Sequence, residues 1–167
     1  MIEAAEAVET VEGLKSVKPR TPPVAGRGAS ERDGPVLGEK WIPRDPQCLA
    51  SVRRFVSDVA ADWGAGEDVP EIAELLASEL VTNAITHGSV GVPETSRIRV
   101  TISRECRLLV VDVHDSCSAL PQPRQARDYD LRGRGLAIVQ MFSHRWGWEL
   151  TPYGKSVWFQ LVAWPAL

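Results

Sequence analysis

Apolar residues recur along this chain with two periods, and the places where the period changes mark out its elements. Residues 46–63 carry Leu49, Val52, Phe55, Val56, Val59 and Ala60 at helical spacing, and Gly64 and Gly66 close the segment. A second helix is predicted over about residues 70–87. Pro70 sits where a first turn tolerates proline, and Gly88 supplies the stop. Residues 97–103 instead alternate, with Ile98, Val100 and Ile102 on one side and Arg97, Arg99 and Thr101 on the other. Arg104-Glu105-Cys106-Arg107 reads as a hairpin connection into a strand over 108–115. A short strand over 36–42 closed by Pro43, a helix over 133–142, and strands over 145–150 and 155–163 around a turn at 151–154 complete the pattern. Strands and helices do not alternate strictly along this order. The expected class is therefore an α+β two-layer sandwich, a mixed sheet with helices on one face, and not a doubly wound parallel sheet.

Residues 1–35 break the pattern. Pro19, Pro22, Pro23, Gly26, Gly28, Gly34 and Pro35 fall among Glu and basic residues with few large apolar side chains, so a flexible tail is expected there and a folded domain over 36–167. The connection over 116–132 is polar, holds Pro121, Pro123, three arginines and two aspartates, and is long for a compact domain.

Composition narrows the setting. A chain of 167 residues with 44% hydrophobic and 25% charged residues suits one globular domain, and a net charge of −3 argues against a large nucleic-acid footprint. No apolar run approaches the roughly 20 residues of a membrane span, and the first residues are acidic where a signal peptide is basic. The cysteines Cys48, Cys106 and Cys117 are odd in number and widely spaced, giving neither a disulfide framework nor metal-ligand spacing, so a reducing cytoplasm is expected.

The second helix carries the anomaly. Ile72, Leu75, Leu76 and Leu80 form an apolar stripe, and Glu79 and Asn83 project into it one turn apart, with His87 a further turn on. Polar groups on a buried face are costly unless satisfied. A hard cation, a phosphate or a reacting hydroxyl would satisfy them, and so would a capping or inter-helix hydrogen bond; periodicity alone does not separate these readings. Leu109, Val111 and Val113 share a strand face on which Asp115 comes next, so the strand ends in a carboxylate that either accepts from a ligand or caps the following turn. Gly133 and Gly135 either let a backbone approach phosphate at a helix N-terminus or simply punctuate the loop. Arg124, Arg127, Arg132 and Arg134 read mainly as a solvated basic loop, and His87 and His144 as packing or capping residues. It is the order of these signals that raises their weight.

In that order the chain resembles, over about residues 36–163, the ATP-binding domain shared by DNA gyrase, histidine kinases and heat-shock chaperones, the GHKL or Bergerat fold. It looks most like the bacterial anti-sigma-factor serine kinases, including the small actinobacterial members. The matching segments are Glu79-Leu-Val-Thr-Asn83-Ala-Ile-Thr-His87-Gly88, Val111-Asp-Val-His-Asp115-Ser116, Gly133-Arg134-Gly135-Leu136-Ala-Ile-Val139 and Gly154-Lys-Ser156-Val-Trp158-Phe159. The resemblance implies that Asn83 binds Mg²⁺ bridging the ATP phosphates, Glu79 is the general base, and Asp115 receives the adenine amino group. It further implies that Gly133 and Gly135 shape the lid and phosphate contacts, and that Ser156 is a small hydroxyl near adenine. His87, Arg134 and Leu136 fall in the same segments as further nucleotide-binding positions. The chain departs from the family's broader pattern at Ser116-Cys117-Ser118, where glycines are usual.

The implied function is an ATP-dependent protein serine/threonine kinase that holds a sigma factor inactive and phosphorylates an antagonist carrying a Ser or Thr. ATP and Mg²⁺ are the implied cofactors, with no direct nucleic-acid or membrane partner. Arg53 and Arg54 on the first helix are expected at a partner surface. A histidine kinase is disfavoured, since no phosphoacceptor helix pair is read before residue 36. The alternative is a non-catalytic ATP-binding module whose partner affinity is set by nucleotide. Dimers are common among the relatives, which leaves a homodimer open.

Overall fold

The structure, a computed structural model, describes residues 24–25, 34–87, 92–93, 95–117 and 135–166. Its sheet grows from the alternating segments. Strands β3 (Arg97–Glu105) and β4 (Leu108–Asp115) form a hairpin that turns at Cys106 and Arg107, with Cys106 at a φ of 54°. β2 (Val36–Pro43) pairs antiparallel with β3, and β4 pairs antiparallel with β6 (Gly154–Val162), which in turn pairs with β5 (Arg145–Thr151). A two-residue strand, β1 (Val24–Ala25), runs parallel to β5 opposite Gly147 and Trp148. The order across the sheet is β1-β5-β6-β4-β3-β2, so the sheet is mixed, as expected.

β1 interrupts the tail expected over residues 1–35. Two residues show no periodicity of their own, and their partner strand lies more than a hundred positions further on, so nothing local marks them. Residues 1–23 and 26–33 lie outside the described residues.

A 3-10 turn (Pro46–Cys48), opened by the Asp45 carboxylate accepting from the Gln47 N–H at 2.9 Å, leads into α1 (Leu49–Asp62). Gly64, at a φ of 71°, stops that helix. Its N–H and that of Ala65 bond back to the carbonyls of Ala61 and Ala60 at 2.9 and 3.0 Å, satisfying two terminal acceptors. α2 (Val69–His87) and α3 (Gly135–Phe142) complete the helical layer. α1 packs on α2, and α2 packs on α3, β4 and β6. At the edge of the sheet Gly38 keeps room for α1, since a Cβ there would stand 3.1 Å from both Phe55 and Val59.

The core lies between the layers. Val52, Val56 and Ala60 of α1 meet Ile98, Val100 and Ile102 of β3, Leu109, Val111 and Val113 of β4, and Phe159 and Leu161 of β6. From α2 the core takes Ala73, Leu76, Ala77, Leu80, Val81 and Ala84. The stripe read from the sequence is thus rotated: Leu75 is 42% exposed, while three alanines occupy the buried face. Alanines let the helix axis come close to its neighbours, a packing gain that a count of large apolar residues does not register. The far face of the sheet is also covered in places, with Val110, Trp158 and Gln160 all buried.

This rotation makes a paired prediction. Leu76→Ala should lower the unfolding free energy by about 2–5 kcal/mol, whereas Leu75→Ala should change it by only about 0.5 kcal/mol. Urea denaturation of the two variants checks it, and equal losses would place the helix in the other rotation.

Candidate nucleotide site

Burying the alanine face of α2 sets Glu79 and Asn83 on its half-buried flank, towards α3. α3 begins at Gly135, and a Cβ on that residue would stand 2.8 Å from Glu79 Oε2 and 3.7 and 3.8 Å from Asn83 Oδ1 and Nδ2. Glycine therefore lets the first turn of α3 lie directly against both polar side chains. The free N–H groups and positive dipole end of a helix N-terminus favour an anion at such a place. An amide oxygen beside such a helix start is also a fitting donor for Mg²⁺, which takes few protein ligands and completes its shell with water and phosphate oxygens.

Glu79 is electrostatically unsettled. Burial pushes its carboxyl above the ordinary glutamate value, and the nearby charge of Arg53 pulls it part of the way back. Arg53 reaches over from α1, where its Nε donates to Ser78 Oγ at 3.0 Å. The side chain expected at a partner surface thus acts on the α2 site as well.

Asp115 ends the buried face of β4 and is 1% exposed. Its Oδ1 accepts from the Cys117 N–H at 2.7 Å, and its Oδ2 faces Lys155 Nζ at 3.8 Å. Burial raises the Asp115 pKa; Lys155 is the largest opposing influence, followed by the Cys117 N–H, Arg44 and His114. Arg44 braces the region from below, its Nε and Nη1 donating to Ser96 Oγ at 2.7 Å and to the Ala84 carbonyl at 2.8 Å. Cys117, incidental in the sequence, is a structural tie: it holds Asp115 through its N–H, and its Sγ lies 3.9 Å from the His87 carbonyl at the end of α2.

Of the residues expected at the site, the structure gathers Glu79, Asn83 and Gly135, and buries Asp115 at the end of β4. Three others sit differently. Ser156 pairs with His114 and so lies on the sheet face opposite Asp115; the residue opposed to Asp115 in the β4–β6 ladder is Lys155. Leu136 is packed in the core, where its side chain anchors α3. The His87 ring is exposed at the end of α2. Gly133 and Arg134 lie outside the described residues.

A helix flank bearing a carboxylate and an amide, a glycine-opened helix against it and a buried strand-end aspartate are thus set in one α+β sandwich. Residues 42–161 match the family model of the histidine kinase-like ATPase domain. The chain belongs to that family and carries an ATP-binding domain of the GHKL type. No curated protein matches it. No helix among the described residues is long and apolar enough to cross a membrane.

The Glu79 environment has a pH signature. A carboxyl whose folded pKa is raised contributes stability that is fully present below its ordinary value of 4.5 and is lost as pH rises through the folded pKa. Glu79→Gln, which never ionises, should therefore melt above the parent protein at pH 7, and the gap should close as pH falls towards 4. Thermal melts across that range check it; a parent protein equal to or more stable than the variant at pH 7 contradicts it.

Proposed function

We propose that this protein is an ATP-dependent protein serine/threonine kinase of the anti-sigma type, working in the cytoplasm. In this reading it holds a sigma factor inactive and phosphorylates an antagonist protein on a Ser or Thr hydroxyl. The observation that supports it best is the grouping of Glu79 with Asn83 against Gly135, because it sets a half-buried carboxylate beside a helix N-terminus suited to phosphate.

Phosphoryl transfer of this kind depends mainly on positioning and on stabilising charge. The hydroxyl proton passes to the Glu79 carboxylate. The hydroxyl oxygen bonds to the γ-phosphorus as the bond from that phosphorus to the bridging oxygen of ADP breaks. Burial raises the basicity of Glu79, which suits a proton acceptor, while the charge of Arg53 pulls its pKa part of the way back. The first-turn amides of α3 would take the phosphates, Asn83 would hold Mg²⁺, and Asp115 would accept from the adenine amino group. Bound Mg²⁺ would offset the negative charge of the phosphates.

Incubating the full chain with labelled Mg-ATP and candidate antagonist proteins tests this. Glu79→Ala should reduce label transfer by about 10²–10⁴-fold, with ATP affinity nearly unchanged. ATP binding without transfer to any antagonist would favour a non-catalytic module instead, and no ATP binding would remove both readings.

A further inference from the structure

We propose that Lys155 is a second base-reading residue, its ammonium donating to N1 of adenine while Asp115 Oδ2 accepts from the 6-amino group. This deepens the nucleotide-site reading and rests on it. Three features of the strand ends carry the inference.

The first is register. Lys155 is opposed to Asp115 across the β4–β6 ladder, so both side chains stand on the face of the sheet that meets the helices. They are 5% and 1% exposed, respectively. A buried lysine is expensive to desolvate, and chains keep one where its charge is matched or used.

The second is the division of labour on the carboxylate. Oδ1 is already committed to the Cys117 N–H at 2.7 Å. Oδ2, the oxygen with remaining capacity, is the one that faces Lys155. At 3.8 Å the two groups attract as an ion pair but exceed hydrogen-bond length. An acceptor and a donor held side by side at that spacing match a flat ligand edge that presents a donor and an acceptor in turn. The amidine edge of adenine does so through its 6-amino group and N1. An ammonium has three N–H donors, so contact with N1 is compatible with its attraction to Asp115.

The third is the turn that delivers Lys155. Gly154 precedes it at a φ of 149°, and a Cβ there would collide with the Asp115 carbonyl oxygen and the Ser116 backbone. Only glycine lets β6 start this close to the end of β4, and the close start is what brings Nζ up to the carboxylate. Ser156, the next residue along, points to the opposite face and cannot share this role.

The test compares ATP with 1-deaza-ATP, in which N1 is replaced by C–H, by calorimetric titration of the full chain. The parent protein should prefer ATP by about tenfold or more, the range expected for a hydrogen bond from a charged donor. Lys155→Met should lower ATP affinity to the level of the 1-deaza analogue and reduce the preference to less than about twofold. Equal binding of the two nucleotides by the parent protein would overturn the assignment without any variant, and would leave ATP binding itself standing. A Lys155→Met protein that loses both nucleotides in equal proportion would reduce Lys155 to a support for Asp115. A parent protein that binds neither nucleotide would remove the nucleotide-site reading together with this one.

Discussion

The rotation of α2 about its own axis governs both the core and the site. Alanines at 73, 77 and 84 place the helix close to its neighbours, with Leu76, Leu80 and Val81 filling the space between them. Because helix positions advance by about 100° per residue, that choice leaves Glu79 and Asn83 on the adjoining flank and no freedom to move them elsewhere. A rotation that buried Leu75 would carry the carboxylate and the amide away from Gly135. The apolar packing therefore aims the polar side chains, and the site inherits the rigidity of the core.

Strand parity does the same for Asp115. β4 alternates between a face that meets the helices and a face that does not, and Asp115 is the last residue on the inner one. Its burial is a consequence of following Leu109, Val111 and Val113, which the core requires. The register with β6 then decides its neighbour. A shift of one residue would replace the Lys155 ammonium by a hydroxyl or a glycine.

Much of this was legible in the residues. The alternation at 97–103 and 108–115, the proline and glycine around α2, and the order of Glu79, Asn83, Asp115 and Gly135 predicted the sheet, the helices and the family. What escaped did so for physical reasons. Leu75 looked like a core residue because hydropathy weighs side-chain size, whereas close packing favoured alanine. Val24–Ala25 went unseen because parallel pairing with β5 is non-local and two residues carry no period. Lys155 went unseen because a buried cation makes sense only once its partner across the ladder is known, and that pairing is a property of the fold.

The edges of the sheet bear on how copies of this chain can meet. On one side Val24–Ala25 already occupies the hydrogen-bonding edge of β5 at Gly147 and Trp148. On the other, β2 is broken by a register shift between Val36 and Gly38 and ends at Pro43, which has no N–H to offer. Among the described residues, neither border presents a long, even row of donors and acceptors to a second sheet. Strand-by-strand polymerisation is thereby discouraged at both described edges, while the helical layer leaves Trp63, Leu75 and Phe142 partly exposed.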